Sequence, residues 1–117
     1  MKAKKNLALI DVRPQDQFDN KSKNYFENLG QIQNAINIPY ASLTSATNLP
    51  SKPTPIVVYG FNSQDYIFNA AKWFRDQGYP NVYVLQGGIW YLRWAAHNIK
   101  DKQYLNDWVV NVPEQNQ

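Results

Sequence analysis

The run Ile56-Val57-Val58-Tyr59, approached through Pro55, ends at Gly60, passes through Asn62, Ser63 and Gln64, and enters an amphipathic stretch that closes at Gly78. An apolar β-type run, a glycine and a helical stripe in that order leave few solutions: a strand, a tight loop, and a helix lying back on the strand's sheet. Ile67, Ala70, Ala71 and Phe74 recur at helical spacing, so one face of the helix is apolar and packs inward. Asn62 or Ser63 is placed to cap the helix start, with Asp65 in the capping-box position relative to Asn62, and Gly78 supplies a left-handed stop.

A junction of this kind aims backbone N–H groups and the positive end of a helix dipole at one spot, which suits an anion or an anionic nucleophile. The chemistry to use that spot is missing. No cysteine, lysine or arginine lies between Gly60 and Tyr66, and Asp65 opposes a bound anion. Ser63 carries a hydroxyl, but no histidine or lysine in the loop activates it, and helix capping accounts for its presence.

The rest of the chain builds around this unit. Leu7-Ala8-Leu9-Ile10-Asp11-Val12 is a short apolar run of the kind buried on both faces of a mainly parallel sheet. Asp11 and Arg13 fall at its C-terminal end, where such sheets place their chemistry, although an ion pair or cap that fixes the turn is the plainer role. Pro14 opens a short helix toward Phe18, residues 19–24 form a loop, and Tyr25 to Gly30 make a helical turn closed by Gly30. Ile36-Asn37-Ile38-Pro39 reads as a short strand, and Ala41 to Pro55 as loop or short helix. Val82-Tyr83-Val84-Leu85 reads as a second buried strand, joined to Ile56–Tyr59 by a right-handed crossover through the helix. Ile89 to Ala96 is a helix with an aromatic surface. Gln103 to Val112 is a docked tail or an added edge strand, and Pro113 to Gln117 a frayed end.

Composition narrows function mainly by exclusion. In 117 residues, 44% hydrophobic content with 15% aromatics supports a single core, and no internal repeat or second domain is visible. The net charge of +3 is spread over scattered lysines (Lys2, Lys4 and Lys5, then Lys21 and Lys23, then Lys100 and Lys102) with no basic stripe, which argues against nucleic acid. Zero cysteines remove disulfides, thiolate catalysis and thiolate metal sites, and a single histidine, His97, leaves no basis for a zinc site. No metal or cofactor is expected. Asp11 and Arg13 interrupt the first apolar run too early for a signal-peptide core, and no membrane span is present. The compartment is not fixed by these features, with the cytoplasm slightly favoured.

Four segments carry a resemblance: Leu9-Ile10-Asp11-Val12-Arg13, then Gly30 to Pro39, then Ile56-Val57-Val58-Tyr59, then Gly78 to Gly88. In order and spacing, over about residues 7–97, they resemble the rhodanese-like domain family. The resemblance implies an α/β, three-layer fold with a central, mainly parallel sheet flanked by helices, followed here by a tail over 98–117. In active members of the family, a cysteine just after the third segment's strand carries a persulfide. That loop reads cysteine, two residues, glycine, one residue, arginine. Its cysteine falls on Gly60, its glycine on Ser63 and its arginine on Asp65, so all three differ.

Other departures agree with this. Gly30-Gln31-Ile32 and Asn34-Ala35 stand where Gly-His-Ile and Gly-Ala are usual, the Phe18–Gly30 stretch is longer than usual, and Ala70-Ala71 lies about one residue out of step. The resemblance therefore implies a remodelled loop. The short lead-in to the first strand implies a domain cut from a longer polypeptide, or a variant whose tail covers the sheet. A glycine cannot carry sulfur, and related cysteine-arginine phosphatases and arsenate reductases are excluded on the same ground.

The expected function is a catalytically inactive binding or regulatory module. Its recognition surface is the degenerate loop Gly60, Phe61, Asn62, Ser63, Gln64, Asp65 and Tyr66, which meets a protein or small ligand and is extended by Trp90, Tyr91 and Trp94 unless those rings pack in the core. Two alternatives stand beside it: part of a larger sulfurtransferase whose cysteine lies elsewhere, or a purely structural domain, in which Phe61 and Tyr66 fill the old pocket.

Overall fold

A computed structural model describes residues 7–62 and 65–116, apart from the side chains of Asp65 and Gln115. Lys2, Lys4, Lys5, Ser63, Gln64 and Gln117 lie outside the described residues. The elements in order are strand β1 (Ala8–Asp11), helix α1 (Gln15–Phe18), strands β2 (Gln31–Ile32), β3 (Ile36–Asn37) and β4 (Ile56–Tyr59), helix α2 (Asp65–Asp76), strand β5 (Val82–Val84), helix α3 (Gly88–Asn98) and strand β6 (Val109–Val110). Tight 3-10 turns cover Tyr25–Glu27, Tyr40–Ser45, Lys100–Trp108 and Glu114–Asn116.

The fold is α/β in three layers. A parallel sheet of order β3-β1-β4-β5 forms the middle, with Ile10 opposite Ile36 and Val58, and Val58 opposite Val84. Because side chains alternate along a strand, Ala8, Ile10, Ile56 and Val58 face one way, into a core with Ile67, Ala70, Ala71 and Phe74 of α2. Leu9 and Tyr59 face the other way, toward Ile89, Leu92, Ala95 and Ala96 of α3. The predicted stripe on α2 is thus its buried face, and Gly78, at φ 102°, ends the chain's run beyond it in the left-handed region.

Two expectations need correction, those for β5 and for the last residues; for the tail, the docked alternative holds. β5 is an edge strand rather than a buried one: Val82 and Val84 pack against the α2-side core, but Tyr83, on the opposite face of the strand at the end of the sheet order, is 57% exposed. The tail does not extend the central sheet. Leu105 is buried, and Val109 and Val110 pair antiparallel with Ile32 and Gln31 in a separate two-stranded sheet.

Residues 113–116 are also docked rather than frayed. The Asn116 side-chain amide donates to the carbonyls of Tyr25 at 2.7 Å and Asn28 at 2.8 Å, which satisfies two acceptors and ties the tail across the 25–28 turn. Where β6 passes Gly30 the backbones nearly touch: a Cβ built there would lie 2.1 Å from the Val110 carbonyl oxygen, so glycine is required.

Candidate functional site

The end of β1, beside the end of β4, carries a closed ion pair. The Asp11 carboxylate accepts from Arg13 Nε at 3.0 Å, from Nη2 at 2.6 Å and from the Arg13 backbone N–H at 3.0 Å, and both side chains are fully buried. Arg13 Nη2 also donates to the Gly30 carbonyl at 2.7 Å. Asn37 clasps the turn from β3, its amide donating to the Asp11 and Arg13 carbonyls. Burial disfavours the guanidinium cation, but the Asp11 hydrogen bonds and charge outweigh it and hold the Arg13 pKa above its ordinary value. The pair consumes Nε and Nη2, whereas the buried Nη1 of Arg13 makes no hydrogen bond. The pair's geometry fixes the β1 turn and the Gly30 crossing.

Two tyrosines border the pair. Tyr59, the last residue of β4, is fully buried and its hydroxyl accepts from the Ile32 N–H at 3.1 Å, which joins the central sheet to β2. Burial, and then the Asp11 carboxylate, push its pKa well above 10. Tyr66, in the first turn of α2, is half-buried and stacks on Tyr40 with ring centroids 5.8 Å apart. Burial and Asp11 raise its pKa as well.

Gly60 directly follows β4 and is buried. A Cβ built on it would lie 2.6 Å from Ile67 Cδ1 and 3.2 Å from the Tyr66 hydroxyl. The space for a side chain at this position is therefore filled from α2. The loop's next contacts are with α3, whose first-turn amides of Ile89 and Trp90 donate to the carbonyls of Gly60 at 3.0 Å and Phe61 at 2.8 Å. The free N–H groups of that helix end are thereby spent on the loop's own backbone instead of on an anion.

Asn62 is half-buried, and its Oδ1 accepts no hydrogen bond, so it is not the N-cap of α2. The alternative cap Ser63, together with Gln64, lies outside the described residues, and the cradle those residues would form with Asp65 is not described.

The aromatic residues of α3 do not pack in the core. Trp90, Tyr91 and Trp94 are all exposed, and Trp94 stacks with both of the others at 6.3 and 6.1 Å. Facing them are Tyr25 and Phe26, whose exposure the polar setting of residues 19–24 hides in the sequence; two adjacent aromatics in a stretch without periodicity were the signal available. Phe26 meets Phe61 edge-on at 6.2 Å. Between Tyr25–Phe26 and Trp90–Trp94 runs a groove of about 330 Å³, floored by Leu29 and Arg93. Gly60 and Phe61 are thus continuous with the α3 surface. His97 ends α3 exposed, with Nε2 2.9 Å from Arg93 Nη2.

Among the described residues no three His, Cys, Asp or Glu side chains gather where a metal ion would be held. No described helix is long and apolar enough to cross a membrane.

The comparisons with known proteins meet this geometry. The chain is 30% identical over 88 residues to the thiosulfate sulfurtransferase GlpE of Shewanella oneidensis, spanning 73% of this chain and 74% of that protein. Among solved structures, a thiosulfate sulfurtransferase from Pseudomonas aeruginosa superposes with a TM-score of 0.60 at 32% identity, over 77% of this chain but 16% of that one. A rhodanese-like domain from Anabaena superposes with a TM-score of 0.61 at 24% identity, over 75% of this chain and 80% of its own. The rhodanese-like domain model matches residues 1–97, and with the parallel sheet, the β4-loop-α2 unit and these relatives in agreement, the chain belongs to the rhodanese-like domain family.

Proposed function

We propose that this chain is a rhodanese-like domain that carries no sulfur and works as a binding or regulatory module. The loop at 60–66 and the aromatic surface joined to it form its recognition face. The observation that supports this most directly is Gly60, which stands where the family's sulfur carrier is expected and whose side-chain space is taken by Ile67 and the Tyr66 hydroxyl. The chain has no cysteine anywhere to replace it. The exposed rings favour binding over a purely structural role; the Tyr66 hydroxyl reaches into the space beside Gly60, but Phe61 and Tyr66 both remain half-buried rather than enclosed.

The test is sulfur transfer from thiosulfate to cyanide by the purified chain, beside Gly60→Cys. Neither is expected to exceed the uncatalysed rate, and the variant should lose about 1–3 kcal/mol of stability in a denaturant titration, because its Cβ overpacks the buried Ile67. Turnover by the unaltered chain would sink the proposal. Turnover by the variant alone would mean that the loop's amide cradle persists and only the carrier was lost.

A second reading has one observation behind it. The Pseudomonas aeruginosa sulfurtransferase includes a region like this chain as 16% of its length, so the domain can be read as part of a larger sulfurtransferase with its cysteine elsewhere. A cysteine-bearing partner domain whose sulfur transfer rises when this chain is added would favour that reading.

A further inference from the structure

Helix α3 is apolar on both sides. Its inner residues Ile89, Leu92, Ala95 and Ala96 are buried, and its outer face presents Trp90, Tyr91 and Trp94, exposed to 45%, 37% and 43%. A helix that is apolar all round belongs in an interior. Helix α2 shows the ordinary surface alternative, with Lys72, Arg75 and Asp76 outside. The outer face of α3 has no such residue; His97 and Asn98 complete it, and Arg93 is buried beneath, bonded to Asn106 and His97.

Taking about 200 Å² per aromatic side chain, the exposed fractions of Tyr25, Phe26, Trp90, Tyr91 and Trp94 leave roughly 500 Å² of ring surface, at the upper end of what a monomer shows as one patch. In homodimer interfaces, which are about 65% apolar, that core corresponds to roughly 800 Å² per partner, the size of a standard stable contact. Charge points the same way. A two-fold contact sets a patch against itself, so a formal charge near the axis would meet its own like. The exposed rings are interspersed with no lysine or carboxylate, and the face's one formal charge, Arg93, lies buried on the groove floor, bonded to Asn106 and His97, so the face is compatible with itself.

We propose that this face is the two-fold interface of a homodimer, with a second copy of the chain as occupant and α3 packed on its symmetry mate. The proposal rests on reading the aromatic surface as a recognition face, and it is independent of whether the chain transfers sulfur.

Sedimentation equilibrium of the full chain, at concentrations on the order of 10–100 μM, tests it. The expected mass is twice the 13.6 kDa of the monomer. Trp94→Glu, which puts a charge into the apolar centre of the contact, is expected to weaken dimerisation at least about tenfold with unchanged circular dichroism. If that variant fails to fold, Tyr25→Glu, at the most exposed ring, provides the same readout. A monomer throughout that range overturns the proposal and leaves the face to a different protein. A dimer that the folded variants leave intact overturns it too. Either result can occur with or without sulfur turnover, so failure here and failure of the inactive-module reading are told apart.

Discussion

Asp11→Ala is expected to cost about 3–5 kcal/mol, the range seen when one partner of a buried ion pair is removed. Arg13 has no exposed surface, and its Nε and Nη2 both point at the Asp11 carboxylate. Without the carboxylate the guanidinium keeps the Gly30 carbonyl as an acceptor but no countercharge, and its pKa is too high for it to discard the proton. Because a domain of this size holds only about 5–15 kcal/mol in all, the variant should sit close to unfolding at room temperature.

The double variant Asp11→Ala/Arg13→Met should recover most of the loss, since an uncharged interior of similar volume has no ion to solvate. Removing Lys72 from its exposed pair with Asp76 should change stability by no more than about 0.5 kcal/mol. Urea titrations of the four proteins make the comparison. Equal losses for Asp11→Ala and Lys72→Ala would show that the buried pair does not hold the β1 turn.

Gly88→Ala is expected to cost about 3–5 kcal/mol, combining left-handed strain with overpacking. Gly88 sits at φ 60°, and a Cβ there would lie 2.3 Å from the Gly60 carbonyl oxygen and 2.8 Å from the Phe61 carbonyl. Both neighbours are backbone and cannot swing aside. Relief requires α3 to back away from the loop, which breaks the bonds from Ile89 and Trp90 to Gly60 and Phe61.

Gly78→Ala separates the two causes. Its φ is 102°, but the nearest atom to a built Cβ is Lys52 Cε at 4.0 Å, so only strain remains, about 1–2 kcal/mol. If the two variants melt alike, α3 is not clamped to the loop as described.

What the sequence showed depended on the kind of residue carrying each element. Leu7–Val12 and Ile56–Tyr59 were legible as strands because central parallel strands are apolar on both faces and leave a continuous run. The α2 stripe was legible because Ile67, Ala70, Ala71 and Phe74 repeat at the helical period. The β2–β6 pairing was not, since two residues on each side carry no pattern and hold only because Gly30 lets the tail pass. β5 read as buried because Val-Tyr-Val is apolar, but tyrosine suits an edge as well as a core, and strand order decides which.

The same ambiguity hid the recognition face. Trp90, Tyr91 and Trp94 fit core or interface equally by type, and only the placement of Ile89, Leu92 and Ala95 inward shows that the rings point out. Gly60 was legible as a missing carrier only through the family resemblance, which puts the cysteine just after the third segment's strand. That Ile67 and Tyr66 fill its space follows from how the first turn of α2 is seated, which no residue pattern encodes.

The most direct measurement is the intact mass of the folded chain after incubation with excess thiosulfate and removal of the unbound reagent. The account predicts the unmodified mass, because no thiolate exists to accept sulfur and position 60 has no side chain. A stable gain of one sulfur atom on the native chain, lost again on adding cyanide, would contradict it and identify a carrier group other than cysteine.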